Sequence, residues 1–210
     1  TQQRPLLYVK PVQTGYPADS DERLVAGAAA LAANAAANAA AATPSPLSLF
    51  RTLHAYRDPV SPHLAAVREG APGVTDAELA RGVARELRAF AAAALSSPPS
   101  PPSASSSLLP LALVETAGGV LSPGVSGTPQ ADVLRPLRLP ALLVGDARLG
   151  GISATLSAYE SLALRGHDVA AIVVLEREDD QGGGGGRHAG AGASAASSAS
   201  SSQPALGNAA

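Results

Sequence analysis

The sequence predicts an α/β fold with a mostly parallel sheet and helices on both faces. Three observations predict it. The runs PLLYV (5–9), LLPLALV (108–114), PALLVG (140–145) and VAAIVVL (169–175) are continuously apolar rather than alternating, the pattern of strands covered on both faces. Helical segments separate these runs, and strand–helix alternation is satisfied by parallel strands joined through crossovers. Finally, 210 residues with 46% hydrophobic but only 3% aromatic side chains suffice for one core, assembled from Leu, Val and Ala.

In chain order, the first strand leads into Lys10-Pro11-Val12-Gln13-Thr14-Gly15. Asp19, Ser20, Asp21 and Glu22 follow, and acids at that place favour a helix N-terminus. Residues 26–43 are nearly all alanine and read as that helix prolonged by low-complexity sequence, an insert extending to about residue 46. In SPHLAAVREG, Ser61 is the expected N-cap, Pro62 the first helical residue and Gly70 the stop. Thr75 and Glu78 form a capping box opening a helix with Leu79, Val83, Leu87 and Phe90 on one face. SSPPSPPSASSS (96–107) can neither continue a helix nor join a sheet. A third helix over 152–165 ends at Gly166 and leads into the last strand. Residues 177–210 are dominated by Gly, Ala and Ser and read as a disordered tail, leaving one domain over 1–176.

Bulk composition limits the function. A formal charge of −2 and a pI near 6.0 give no reason to expect a nucleic-acid or anionic-membrane partner, which calls for concentrated positive charge. No cysteine is present, which removes disulfides and thiolate metal sites. No apolar run approaches 18 residues, which argues against a transmembrane span. Methionine is absent as well, so the chain is expected to be a piece of something longer.

Ligands in such a sheet bind outside the carboxyl ends of the strands, and four clusters fall there. Lys10 is the only lysine; every other cationic side chain of the Lys/Arg set is arginine. It is either a surface lysine at a strand end or a ligand-binding ammonium, a compact point charge able to follow an oxyanion where a guanidinium is a fixed fork. Glu115, in LVETAGG, is either a solvated turn residue or a magnesium ligand, with Gly118 and Gly119 letting backbone N–H groups approach an anion. One carboxylate of the Asp19–Glu22 group could share that cation. Gly150 and Gly151 in GDARLGGISAT precede a helix and make either a plain connection or an anion-binding helix start. His54, His63, His167 and His188 have no mutual metal-ligand spacing, and no Gly-x-Ser-x-Gly elbow is present. A lysine, two carboxylates and two anion-binding turns at one sheet edge are equipment for phosphoryl transfer from a nucleotide.

The blocks YVKPVQTG, DSDERLV, RDPVSPHLAA, LVETAGGVLSPG and LRLPALLVGDARLGGISATLSAYESL together resemble dethiobiotin synthetase, an ATP-dependent ligase with a P-loop NTPase fold. The wording is nearest to the synthetase half of the plant and algal bifunctional enzyme, which also carries a diaminopelargonate aminotransferase. The resemblance implies that 7,8-diaminononanoate takes up CO2 as a carbamate, which ATP phosphorylates and which closes to a cyclic urea. It implies Lys10 as the catalytic residue and Thr14 as a substrate ligand. It implies Asp21 and Glu115 as magnesium ligands, with Asp19 as the fallback for Asp21. The turn of Glu115, Thr116, Ala117 and Gly118 would lie against the nucleotide. Gly150, Gly151, Ile152 and Ser153 would receive the substrate carboxylate across a homodimer interface. A mitochondrial location is implied in the same way.

The family's phosphate cradle, a Gly-rich loop ending Gly-Lys-Thr, lies on the strand before the one carrying Lys10. Residues 1–210 do not contain it, and the expectation is an N-terminally truncated domain, inactive by itself. Two further readings stay open: a catalytically dead product serving as a dimerisation or docking module, and another P-loop amidoligase.

Overall fold

The computed structural model describes residues 4–39, 48–71, 73–96 and 109–175. Among the described residues five strands and five helices follow in order, alternating except where two helices stand in succession: β1 (Leu6–Gln13), α1 (Asp21–Ala39), β2 (Ser48–Ala55), α2 (Pro62–Arg68), α3 (Asp76–Ser96), β3 (Leu111–Val114), α4 (Gln130–Leu134), β4 (Ala141–Asp146), α5 (Gly151–Leu164) and β5 (Val169–Leu175). A short 3₁₀ turn, Arg135–Leu137, joins α4 to β4. The end of the alanine-rich stretch, nearly all of the Pro/Ser segment and the 177–210 tail lie outside the described residues.

Among the described residues every pairing between these strands is parallel, as expected, but they form two sheets rather than one, ordered β2-β1-β3 and β4-β5. Central β1 is buried on both faces from Leu7 to Gln13, which is what its unbroken apolar run requires. Leu7 and Val9 point to one face, where Leu49, Leu53, Val83, Leu87 and Phe90 close a core layer under α3. By strand alternation Tyr8 and Lys10 point to the other. At the carboxyl end, Val12 packs with Tyr56, Ala65, Ala66, Leu79 and Val133, bringing α2, α3 and α4 together.

The local signals for α3 hold. Glu78 N–H donates to Thr75 Oγ1, while Glu78 Oε2 accepts from Thr75 N–H and from its hydroxyl, a reciprocal capping box. Those bonds hold the Glu78 carboxyl below its usual range. Ser61 precedes α2 as expected but makes no side-chain cap hydrogen bond; Pro62 at the first position already removes one orphan N–H. Gly70 and Gly166 both take positive φ just past their helices, where glycine carries no Cβ penalty.

Two expectations fail. β2 was not anticipated, because Arg51, Thr52 and His54 interrupt its apolar pattern; it is an edge strand, paired only with β1 among the described residues. β4 and β5 are not covered on both faces: Leu142, Val144, Ile172, Val174 and Leu175 are exposed. The second sheet is held by a small cluster of Ala131, Leu143 and Leu162, with Arg165 paired to Asp132 and His167 bonded to the Ala131 carbonyl.

Burial pushes the His54 imidazole below its ordinary 6.5, against an opposing pull from Glu78. The unfolded chain therefore takes up a proton at a pH where folded His54 stays neutral. The stability His54 contributes is complete above 6.5 and is lost as pH falls through the window beneath it. Thermal midpoints followed from about pH 7.5 down to 5.5 should fall less steeply in His54→Gln than in the unsubstituted protein; equal slopes would remove His54 as the cause.

Candidate functional site

The sequence places Lys10 at the carboxyl end of a strand that stops at Val9. The strand instead continues to Gln13, because Lys10, Val12 and Gln13 find partners in Thr52, His54 and Ala55 of β2. Lys10 is therefore inside β1 and 4% exposed. It still reaches the carboxyl edge of the sheet, because on the other side β3 ends at Val114, level with Val9. The chain leaving β3 brings Glu115 and Thr116 beside the lysine.

Three oxygens surround the Lys10 ammonium, two of them as hydrogen-bond acceptors. Lys10 Nζ is 2.6 Å from Asp21 Oδ2 and 2.8 Å from Glu115 Oε1. It donates hydrogen bonds to that Glu115 oxygen and to the Thr116 carbonyl, the latter at 3.0 Å, and pairs with Asp21 by charge. The ammonium is buried while the Asp21 and Glu115 side chains that pair with it are 38% and 48% exposed, so the cluster borders solvent on its carboxylate side. Asp19 is not part of this cluster; its carboxylate lies against Gly15.

Two residues that sequence reasoning missed hold this arrangement. Tyr8, two positions before Lys10 and on the same face, donates its phenol to Glu115 Oε2 at 2.7 Å. Burial first, then this hydrogen bond and the charge of Glu115, raise the phenol far above its ordinary range. Gln13 is 5% exposed; its Oε1 accepts the Asp21 N–H at 3.1 Å and its Nε2 donates to the Thr14 and Asp19 carbonyls. That amide ties down the turn containing Thr14 and Gly15 and presents Asp21 as the first residue of α1. The i, i+2 spacing of Tyr8 and Lys10 was the available signal; in PLLYV the tyrosine reads as core.

The turn after Glu115 is equally fixed. Gly118 has φ +96, a conformation that favours glycine, and a Cβ there would also press on the Ser122 side chain, 2.8 Å from its Oγ. The Thr116 hydroxyl donates to the Gly118 carbonyl and the Gly119 N–H to Ser122 Oγ. Ala117 packs against the Val12 core layer and its carbonyl accepts from Gln130.

Gly150, Gly151, Ile152 and Ser153 open α5 at the carboxyl end of β4, on the other sheet. Among the described residues no hydrogen bond or ion pair links them to the Lys10 cluster. Arg148 holds the Asp146 carboxylate through Nε and Nη2, and Gly150 enters the helix in the left-handed region.

Two carboxylates that reach one nitrogen are close enough to share one hard cation. Magnesium is commonly held by one or two carboxylates plus substrate phosphates, and among the described residues no group of three or more His, Cys, Asp and Glu could hold a metal without such help. Asp21 and Glu115 are the carboxylates that could hold one, with the rest of its shell supplied by a ligand.

The AAA domain family matches residues 2–197. The bifunctional dethiobiotin synthetase/7,8-diamino-pelargonic acid aminotransferase, mitochondrial, of Arabidopsis thaliana is 40% identical over 205 residues, 80% of this chain and 24% of that protein. The bifunctional dethiobiotin synthetase/adenosylmethionine-8-amino-7-oxononanoate aminotransferase of Emericella nidulans is 40% identical over 169 residues, again 80% of this chain but 17% of the relative. The ATP-dependent dethiobiotin synthetase of Methylobacterium nodulans is 34% identical over 174 residues, covering 82% of this chain and 68% of that protein. The chain therefore spans a quarter or less of the bifunctional relatives and about two thirds of the bacterial one. With the domain match covering nearly all of its residues, the chain belongs to the AAA domain family and to the dethiobiotin synthetase family.

Proposed function

We propose that these residues form part of an ATP- and magnesium-dependent ligase that converts 7,8-diaminononanoate and CO2 to dethiobiotin. The observation that carries this reading is the Lys10 cluster, with one buried ammonium paired to two partly exposed carboxylate side chains at the edge of a parallel sheet. Lys10 donates to a carbamate oxygen and then to the charge that gathers as the phosphoryl group moves, which is the electrostatic stabilisation such transfer needs. Asp21 and Glu115 would hold a magnesium ion, which would supply neutralisation of phosphate charge. The Thr14 hydroxyl and the start of α5 bind the two ends of the diamine acid.

Residues 1–210 hold one lysine, followed by Pro11, so on this reading Lys10 acts at the carbamate and does not belong to a Gly-Lys-Thr cradle. Ile152 is 79% exposed next to Gly151, and Leu149 and Leu156 are exposed beside it; this apolar surface supports a homodimer formed across the substrate-carboxylate site. Fusion to an aminotransferase and a mitochondrial location are proposed from the names of the bifunctional relatives.

The test is direct. Full-length protein carrying these residues, given 7,8-diaminononanoate, bicarbonate, ATP and magnesium, is expected to release ADP and phosphate in step with dethiobiotin. Nucleotide hydrolysis without the cyclic urea would sink the assignment.

A further inference from the structure

We propose that Tyr8 is a positioning residue whose phenol fixes the carboxylate plane of Glu115, and so the direction from which that carboxylate meets a divalent cation. The proposal rests on the ligase reading only for its turnover arm. Glu115 is the first residue past β3, its side chain nearly half exposed, and an exposed glutamate has several rotamers of similar energy. Here neither oxygen is free to wander, since Oε1 takes the Lys10 bond and Oε2 the Tyr8 bond.

The support under Tyr8 is rigid. It is 2% exposed and sits on the central strand, flanked by Phe50 of β2 and Leu113 of β3. A tyrosine needed only for packing would do as well as phenylalanine, because a buried hydroxyl costs free energy unless it is hydrogen-bonded. Among the described residues the phenol has one hydrogen-bond partner, Glu115. The hydroxyl therefore serves the carboxylate rather than the core. Outer partners of metal ligands act in this way, and losing one typically costs about 10- to 100-fold in metal affinity or activity.

The experiment compares full-length protein with Tyr8→Phe. Mn2+ is titrated by electron paramagnetic resonance in the presence of a non-hydrolysable ATP analogue, which supplies the rest of the metal's shell, and the Mg2+ dependence of dethiobiotin formation is followed separately. In Tyr8→Phe the Mn2+ dissociation constant and the Mg2+ concentration for half-activation are each expected to rise about 10-fold or more. The KM for the diamine is expected to stay unchanged. Glu115→Asp, which shortens the reach to Tyr8 but keeps the charge, supplies a double-mutant cycle. The double variant should bind Mn2+ no more weakly than Glu115→Asp alone, and additive losses overturn the proposal. An unchanged Mn2+ affinity in Tyr8→Phe overturns it as well. Because the Mn2+ titration needs no turnover, failure of the unsubstituted protein to form the cyclic urea overturns the ligase reading separately.

Discussion

Lys10→Met in the full-length protein is expected to lower kcat about 10²- to 10³-fold, the usual loss when one donor to developing charge is removed. The cost in stability should be far smaller. Methionine fills the buried stem but leaves Asp21 and Glu115 facing each other without their counter-ion. A fully buried pair broken in this way costs about 3–5 kcal/mol. Both carboxylates here are more than a third exposed, so water and salt screen the repulsion and the cost is about 1–2 kcal/mol. That is a midpoint shift of roughly 2–8 °C. Lys10→Arg is also expected to lose most activity, because the slot inside β1 meets three oxygens in three directions and a planar fork cannot point at all of them. Kinetics and melting curves on the same preparations check both statements, and an arginine variant with near-full rate would refute the point-charge argument.

Gly151→Ala is expected to dislocate the start of α5. A Cβ at Gly151 would stand 2.0 Å from the Asp146 carbonyl oxygen and 2.7 Å from its carbon. Those are backbone atoms at the end of β4 and cannot swing aside as a side-chain tip would. The Asp146–Arg148 pair stiffens the same loop, so relief must come from moving α5 or fraying β4. The expected cost is about 3 kcal/mol, at the upper end for overpacking, or a midpoint lower by roughly 6–12 °C. In full-length protein the KM for the diamine should rise while nucleotide affinity is kept. An unchanged midpoint would show that the loop yields freely.

Much of this arrangement was legible in the sequence, and the parts that were not share a cause. The capping box of Thr75 and Glu78, the stops at Gly70 and Gly166 and the apolar strand runs are local signals, and local signals survive without knowledge of neighbours. That Lys10, Glu115 and one acid of the Asp19–Glu22 group could meet was legible from the ends of the apolar runs, while the choice of Asp21 came from the family resemblance. β2 was not, since an edge strand with Arg51 and His54 breaks the apolar pattern and is defined by its pairing with β1. That same pairing moved Lys10 from the end of its strand to the interior. Tyr8 was hidden because its partner lies more than a hundred residues away in the chain, and nothing in PLLYV distinguishes a packing ring from a bonding phenol. The split into two sheets likewise depends on long-range partners.

That split sets an order of opening. The β4–β5 sheet has two strands and rests on α5 and a few buried side chains, and a two-stranded sheet is marginal in water. Amide protons of β4, β5 and α5 should thus exchange through local fluctuations well before those of β1, which is bonded on both sides and buried. Gly150 to Ser153 belong to the early-opening half and Lys10 to the late one. A ligand gripping both halves would have to order the first against the second, spending part of its binding energy on that freezing and making slow exchange at β4 a readout of occupancy.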